Sequence, residues 1–375
     1  MDLNSFENEL KNIVPNLTQK YKVPGVSIGI IDNGKKSFSY FYGLADKKNN
    51  VYINENTCFQ VGSISKLVTA WVIMSLVEKG KLNLDEPIEN YLTRWKFKKG
   101  KFDKDKVTAR LILGHAAGLS VSGYLGCNPK KELLMLEESL SGKSFMIPKL
   151  KVIYEPGLKV KYSGGGYTLL QLVIEEITKD KFSKHAKESI LKPLNMCNST
   201  FEFSEVNKEN LAIPYGLKGW EVPNYLYTEQ AAAGLYSNIN DLMNLAIANM
   251  QQESDKLYEK YVLSNDSLKI LQKRVIRSYP NCFGIDSFNC SENKVLISRG
   301  VNRGWRSELI IIPKKRQGLV ILSNSDYGNN VINEVTELWL GRILDSMSNK
   351  SLEIMDLKNK NIIEKSIRYI QFIKG

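Results

Sequence analysis

The apolar positions at the start of the chain recur at helical spacing. Leu3, Phe6, Leu10, Ile13, Leu17 and Tyr21 share one face if residues 2–22 form a helix, so this segment is predicted to pack one side against a core. The pattern then changes. Residues 26–31 are a continuous apolar run of strand length, Asn33-Gly34 is a turn whose residues tolerate positive φ, and residues 37–42 read as the returning strand. From residue 67 to about residue 250 the pattern is mostly helical: residues 67–79 form one apolar helix closed by Gly80, and residues 107–113, 167–177 and 241–250 read as further helices. Strands return at residues 295–298, 307–312 and 318–323, with Pro313 and Gly318 bracketing the turn between the last two, and residues 330–347 read as a closing helix. Strands at both ends around a helical middle predict an α+β fold, an α/β sandwich. One antiparallel sheet is formed by both termini with flanking helices, and a mainly helical domain is inserted between. On this division residues 1–66 and 251–347 make the sheet part, residues 67–250 the helical part, and residues 348–375 a basic, weakly amphipathic C-terminal tail.

Composition narrows the function classes. With 375 residues, 43% of them hydrophobic and 25% charged, the chain can bury a globular core. Its formal charge of +12 would suit a nucleic-acid binder, but no helix-turn-helix, zinc spacing or aromatic RNA-binding motif accompanies it, so no nucleic-acid partner is expected. The basic run at residues 96–106 reads as a solvated loop, and weak contact with anionic surfaces stays open. The five cysteines are widely spaced and form no Cys-x-x-Cys pair, which predicts mostly reduced, buried thiols in a reducing compartment. No histidine/carboxylate cluster suggests a metal, and no cofactor is expected. The N-terminus has neither the basic nor the apolar region of a secretory signal. The longest apolar stretch, residues 67–77, is interrupted by Thr69 and Ser75, far short of the roughly 20 residues of a membrane span. A soluble, cytoplasmic protein without a membrane span is expected, with an exported form left open.

Candidate chemistry begins at Ser63-Ile64-Ser65-Lys66. Ser63 follows Gly62 and leads into the apolar helix, and a separation of three residues puts Ser63 and Lys66 on one helical face. A serine hydroxyl becomes a useful nucleophile when a neighbouring base takes its proton, and the start of a helix favours a developing oxyanion. Ser-x-x-Lys alone also fits a helix-capping serine with a surface lysine, so its surroundings decide. These are Phe59-Gln60-Val61-Gly62 before it, Thr69-Ala70 behind it, the run from Gly80 to Ile88, and Leu113-Gly114-His115-Ala116-Ala117-Gly118-Leu119.

In the order and spacing of these motifs the chain resembles the β-lactamase/penicillin-binding-protein superfamily, in its class C, D-peptidase and esterase branch, over roughly residues 5–345. The resemblance implies one β-lactamase-like catalytic unit with Ser63 as nucleophile. It further implies that Tyr162, in Tyr162-Ser163-Gly164, is the general base or proton relay beside Lys66. An ammonium beside a phenol favours that use. Family members often carry asparagine where Gly164 stands, and lysine or histidine where Ser298 stands in Ser298-Arg299-Gly300. Gly164, Ser298, Arg299, Gly300 and Arg306 are thus the expected substrate-binding positions. Arg299 or Arg306 is a candidate for the missing charge, although strand alternation points neighbours to opposite faces. The backbone amides of Ser63 and Val301 are implied as the oxyanion hole. His115 falls in the family's His-x-x-Gly-Leu turn with a structural role, and His185 reads as a surface residue of a polar helix. Trp220, Tyr225 and Tyr227 either border the pocket or fill core.

The resulting expectation is a serine hydrolase that acts through an acyl-enzyme on a small-molecule or peptide substrate. The carbonyl would belong to a D-residue peptide, an ester or a β-lactam-like ring. Peptidase or esterase action is favoured over β-lactamase, because Gly164, Ser298 and the absent signal all point away from a secreted antibiotic-resistance enzyme. An acyltransferase of the same superfamily and a catalytically quiet penicillin-binding or sensor module are the alternatives.

Overall fold

A computed structural model of the chain describes residues 2–143, 148–251, 262–290 and 292–344. The predicted tail lies outside the described residues. Helix α1 (Leu3–Tyr21) starts on Asp2, whose carboxylate accepts the Ser5 N–H, and stops where Lys22 turns into the left-handed region. Strands β1 (Gly25–Asp32) and β2 (Lys35–Asp46) form the predicted hairpin, followed by the short β3 (Val51–Tyr52) and β4 (Phe59–Gln60). Helices α2 (Ser65–Glu78), α3 (Ala109–Leu113), α4 (Leu136–Ser141), α5 (Gly164–Thr178), α6 (Phe182–Ala186) and α7 (Gln230–Ala233) come next. After β5 (Tyr236–Ser237) come α8 (Ile239–Ala248) and α9 (Asn265–Leu271). The chain ends with β6 (Asp286–Cys290), β7 (Asn293–Asn302), β8 (Trp305–Ile312), β9 (Gln317–Ser323) and α10 (Gly328–Ile343).

Seven strands form one antiparallel sheet in the order β3-β2-β1-β9-β8-β7-β6. Strand β1, near the N-terminus, therefore pairs with β9, near the C-terminus, and the expected sheet from both ends is observed. Alternation sends the side chains of each strand to two different cores. Ile28, Ile30, Ile310, Ile312, Leu319 and Ile321 meet Phe6, Leu10 and Val14 of α1 and Val335 and Trp339 of α10. Trp305, Leu309, Ile311, Val320 and Leu322 face the other way, toward Phe59, α2, α5 and α8. Cover on both faces explains why β8 is buried along its whole length, Arg306, Ser307 and Glu308 included, and why residues 309–312 read as an unbroken apolar run although the neighbouring strands are antiparallel.

Helix α2 has no polar stripe: Ser65 to Leu76 are all buried. A helix apolar all round belongs inside a protein, and this one carries the predicted nucleophile motif at its start. No helix among the described residues is long and apolar enough to cross a membrane. Cys58, Cys282 and Cys290 are buried, but Cys127 is half-buried and Cys197 is exposed, so the expectation of buried thiols holds for three of the five.

Candidate active site

The backbone before Ser63 is shaped by close packing. Strand β4 pairs with β5, and a single 3₁₀ turn, Gly62–Ile64, then feeds α2. Gly62 has φ +50°, and a Cβ built on it would lie 2.8 Å from the Val301 nitrogen. Gly300 is tighter still, since an added Cβ would fall 1.9 Å from the Val61 oxygen and 2.3 Å from Ser307 Oγ. The 3₁₀ turn therefore rests on the end of β7 with no room for side chains between. Ser65 Oγ holds the turn from the other side, donating to Gly62 O at 2.6 Å and accepting the Leu235 N–H at 3.0 Å. Ser307 Oγ adds a bond to Val61 O at 2.9 Å.

Three predicted side chains meet on this frame. Ser63 Oγ is 2.7 Å from Tyr162 Oη, with either hydroxyl able to donate. Lys66 Nζ donates to Ser63 Oγ at 3.1 Å and to Ala232 O at 2.6 Å. Lys66 is 3% exposed, while Ser63 is only partly buried. The Lys66 nitrogen also lies 5.0 Å from the Tyr162 ring centre and 5.5 Å from that of Tyr167. The lysine is thus aimed by α7 below and two aromatic faces beside it, and is the buried member of the trio, while Ser63 and Tyr162 are both partly exposed.

His115 supports Tyr162. Its ring centre is 4.3 Å from that of Tyr162, and its Nδ1 accepts the Ser163 N–H at 3.1 Å. Burial, aided by the positive charge of Lys66, pushes the imidazole down to about 3 from 6.5, so it is neutral at physiological pH. Ser163 caps α5 by accepting the Gly166 N–H at 3.0 Å, which pins the residue after Tyr162. His185, expected at the surface, is instead half-buried in α6.

The expected recognition positions divide by sheet face. Ser298 and Gly300 lie on the α2 face; Ser298 is buried and its Oγ is 3.4 Å from Gly284 O. Arg299 and Arg306 lie on the opposite face. Arg299 Nε donates to Glu308 at 2.5 Å, and that glutamate accepts from Thr336 of α10. Arg306 is buried and paired with Asp326 at 3.0 Å. Neither guanidinium is brought to Ser63, because odd and even positions of a strand diverge. Gly164 begins α5 under the 122–124 loop, where a Cβ would stand 3.2 Å from Ser122 O and 3.4 Å from the Tyr124 ring. A longer side chain there would have to displace that loop.

Sequence reasoning missed a polar bridge at the same place. Asn302 Nδ2 donates to Gln60 Oε1 and to Ala233 O, both at 3.0 Å. Gln60 Nε2 donates to Tyr225 O and to Tyr236 Oη, both at 2.6 Å. This ties β7, β4, α7 and the 225 loop into one wall. The legible signal was Gln60 itself, a polar residue between Phe59 and Val61 three positions before the serine. Of the three aromatics left open, Tyr227 is buried, Tyr225 borders this wall, and Trp220 is 71% exposed.

A partly exposed hydroxyl within hydrogen-bond reach of a buried amine and a phenol is suited to nucleophilic attack with proton transfer. A family model described as Beta-lactamase matches residues 10–339. The protein flp of Staphylococcus aureus is 23% identical over 325 residues, covering 86% of this chain and 64% of its own length. This chain thus spans less than two thirds of that relative. Among solved structures, the octameric penicillin-binding protein homologue from Pyrococcus abyssi superposes with a TM-score of 0.75 at 24% identity, over 90% of this chain and 78% of that one. A beta-lactamase/D-alanine carboxypeptidase from Pseudomonas syringae gives a TM-score of 0.72 at 18% identity, over 88% and 97% of the two chains. With a family model spanning most of its length and a matching fold, the chain belongs to the beta-lactamase family, within the β-lactamase-fold serine hydrolases.

Proposed function

We propose that this protein hydrolyses esters or peptides of D-residues through an acyl-enzyme on Ser63, with β-lactams as poorer substrates. The observation that carries the reading is the position of Ser63 Oγ, 2.7 Å from Tyr162 Oη and 3.1 Å from Lys66 Nζ. Ser63 Oγ attacks the carbonyl carbon while its proton passes to the Tyr162–Lys66 pair. The carbonyl oxygen becomes an oxyanion held by the backbone N–H groups of Ser63 and Val301. Collapse expels the alcohol or amine, which takes the proton back from Tyr162. Water then repeats the sequence on the acyl-serine and releases the acid.

The recognition edge supports the preference among substrates. Gly164 offers no side-chain amide, and buried Ser298 offers a small hydroxyl in place of a cation. The similar Pseudomonas syringae protein is named for both β-lactamase and D-alanine carboxypeptidase, so one fold accommodates both leaving groups. The test is a comparison of kcat/KM for a 4-nitrophenyl ester, a D-alanyl-D-alanine peptide and benzylpenicillin, with Ser63→Ala as control. The expected result is Ser63-dependent turnover of the ester or peptide at least tenfold above that of the penicillin. Equal or faster penicillin turnover contradicts the preference, and turnover surviving in Ser63→Ala contradicts the mechanism.

A further inference from the structure

We infer that Arg303 is a specificity residue that receives an acid group on the substrate arm running past the end of β7; the inference rests on the acyl-enzyme reading above. Arg303 occupies the β7–β8 turn, two residues beyond Val301, where the chain leaves the wall against Gly62. Two residues of strand span roughly 7 Å, so a group bound at Arg303 sits several bonds from a carbonyl at Ser63. Arg303 is exposed, and no carboxylate among the described residues pairs with it. Its Nη1 donates to Tyr225 Oη at 2.7 Å, and its guanidinium carbon lies 5.3 Å from the centre of that ring. The phenol therefore steers the guanidinium without neutralising it, and the planar fork keeps donors for a carboxylate or phosphate.

The turn beneath Arg303 is rigid. Asp326 accepts the Gly304 N–H at 2.9 Å and pairs with Arg306, whose Nη1 also donates to Asn302 O at 2.9 Å. Gly304 has φ +80°, and a Cβ there would lie 2.6 Å from Pro214. Asn302 and the Tyr225 carbonyl are both bonded to Gln60, on the strand that leads into Ser63. Arg303 is thus anchored from both sides to the wall of the site. Arg299 and Arg306, by contrast, are bound to Glu308 and Asp326 on the other sheet face. The site presents a preorganised cation at a position where preorganisation reduces the entropic cost of binding.

The test compares 4-nitrophenyl butyrate with its acid-bearing counterpart, the 4-nitrophenyl monoester of glutaric acid, on wild type, Arg303→Gln and Arg303→Lys. Wild type is expected to favour the acid ester, with the ratio of kcat/KM values falling about tenfold or more in Arg303→Gln, chiefly through KM. Arg303→Lys should restore part of the ratio, and the wild-type preference should shrink with added salt. Ser63-dependent turnover with a ratio that Arg303→Gln leaves unmoved overturns this inference and leaves the hydrolase reading standing. Absence of turnover on both esters, together with no labelling of Ser63 by a fluorophosphonate, overturns the hydrolase reading and this inference with it.

Discussion

The proposed chemistry depends on a few side chains whose surroundings are unequal. Lys66 is buried and donates to a backbone carbonyl, so its amine is held in one place. Tyr162 is fixed by ring contact with His115 and by the capped Ser163 that follows it. His115 has a cost of its own. Its folded value of about 3 is below the unfolded 6.5, so the unfolded state binds the extra proton between those values. Stability from the neutral imidazole is complete above pH 6.5 and declines as pH falls toward 3, by up to about 1.4 kcal/mol per pH unit. Buried Asp286 has the opposite sign: burial raises it from 3.8 to about 6, so its contribution is complete below 3.8 and is lost as pH rises through 6. A mutant difference isolates the histidine from this. His115→Asn keeps an acceptor for the Ser163 N–H and tolerates the positive φ of 57° at this position. Urea unfolding at pH 7.5 and pH 5 should show the wild-type advantage over His115→Asn shrinking on the acid side. Parallel losses in the two proteins would contradict the assignment.

At the scale of elements, the site is a contact between a 3₁₀ turn and a strand end. Its tightest point is Gly300 against Val61 O. Gly300→Ala would force the turn off β7, costing about 1–3 kcal/mol or more as an overpacked contact. It should also reduce kcat/KM on the preferred ester by far more than the stability loss explains, because the Ser63 and Val301 amides would separate. Urea midpoints with an unchanged slope, measured beside the kinetics, check both halves. A variant as stable and active as wild type would show that the turn and strand are not in this register. Much of this element structure was legible from pattern. Helix α1, the β1–β2 hairpin, α2 and the strands β7 to β9 follow from apolar spacing and turn residues. Strand β6 did not, because Asp286-Ser287-Phe288-Asn289-Cys290 mixes polar and apolar residues at a sheet edge, where only one side needs a partner. The four-residue α7, which supplies the Ala232 carbonyl to Lys66, is too short to have a readable period.

Across the whole molecule, the sheet separates two cores that do different work. The core of α1 and α10 closes one face and absorbs Arg299, Glu308 and Arg306 into its border. The core of α2, α5 and α8 closes the other and carries Ser63, Lys66 and Tyr162 at its rim. This division explains which site residues could be read from sequence. The nucleophile, lysine and tyrosine belong to local motifs, so their meeting followed from the resemblance. The placement of the arginines depended on strand register. The Gln60–Asn302 bridge joins residues 242 positions apart, and no local pattern reports it.

In the proposed mechanism Ser63 becomes acylated while Tyr162 and Lys66 move its proton. Intact-mass spectrometry with peptide mapping, after brief exposure to a fluorophosphonate and to the preferred ester, tests it directly. One added acyl or phosphonyl group located on Ser63 is expected. No adduct should form in Ser63→Ala, and labelling should be slower by about 100-fold or more in Tyr162→Phe. An adduct on another residue, or undiminished labelling of folded Ser63→Ala, would contradict it.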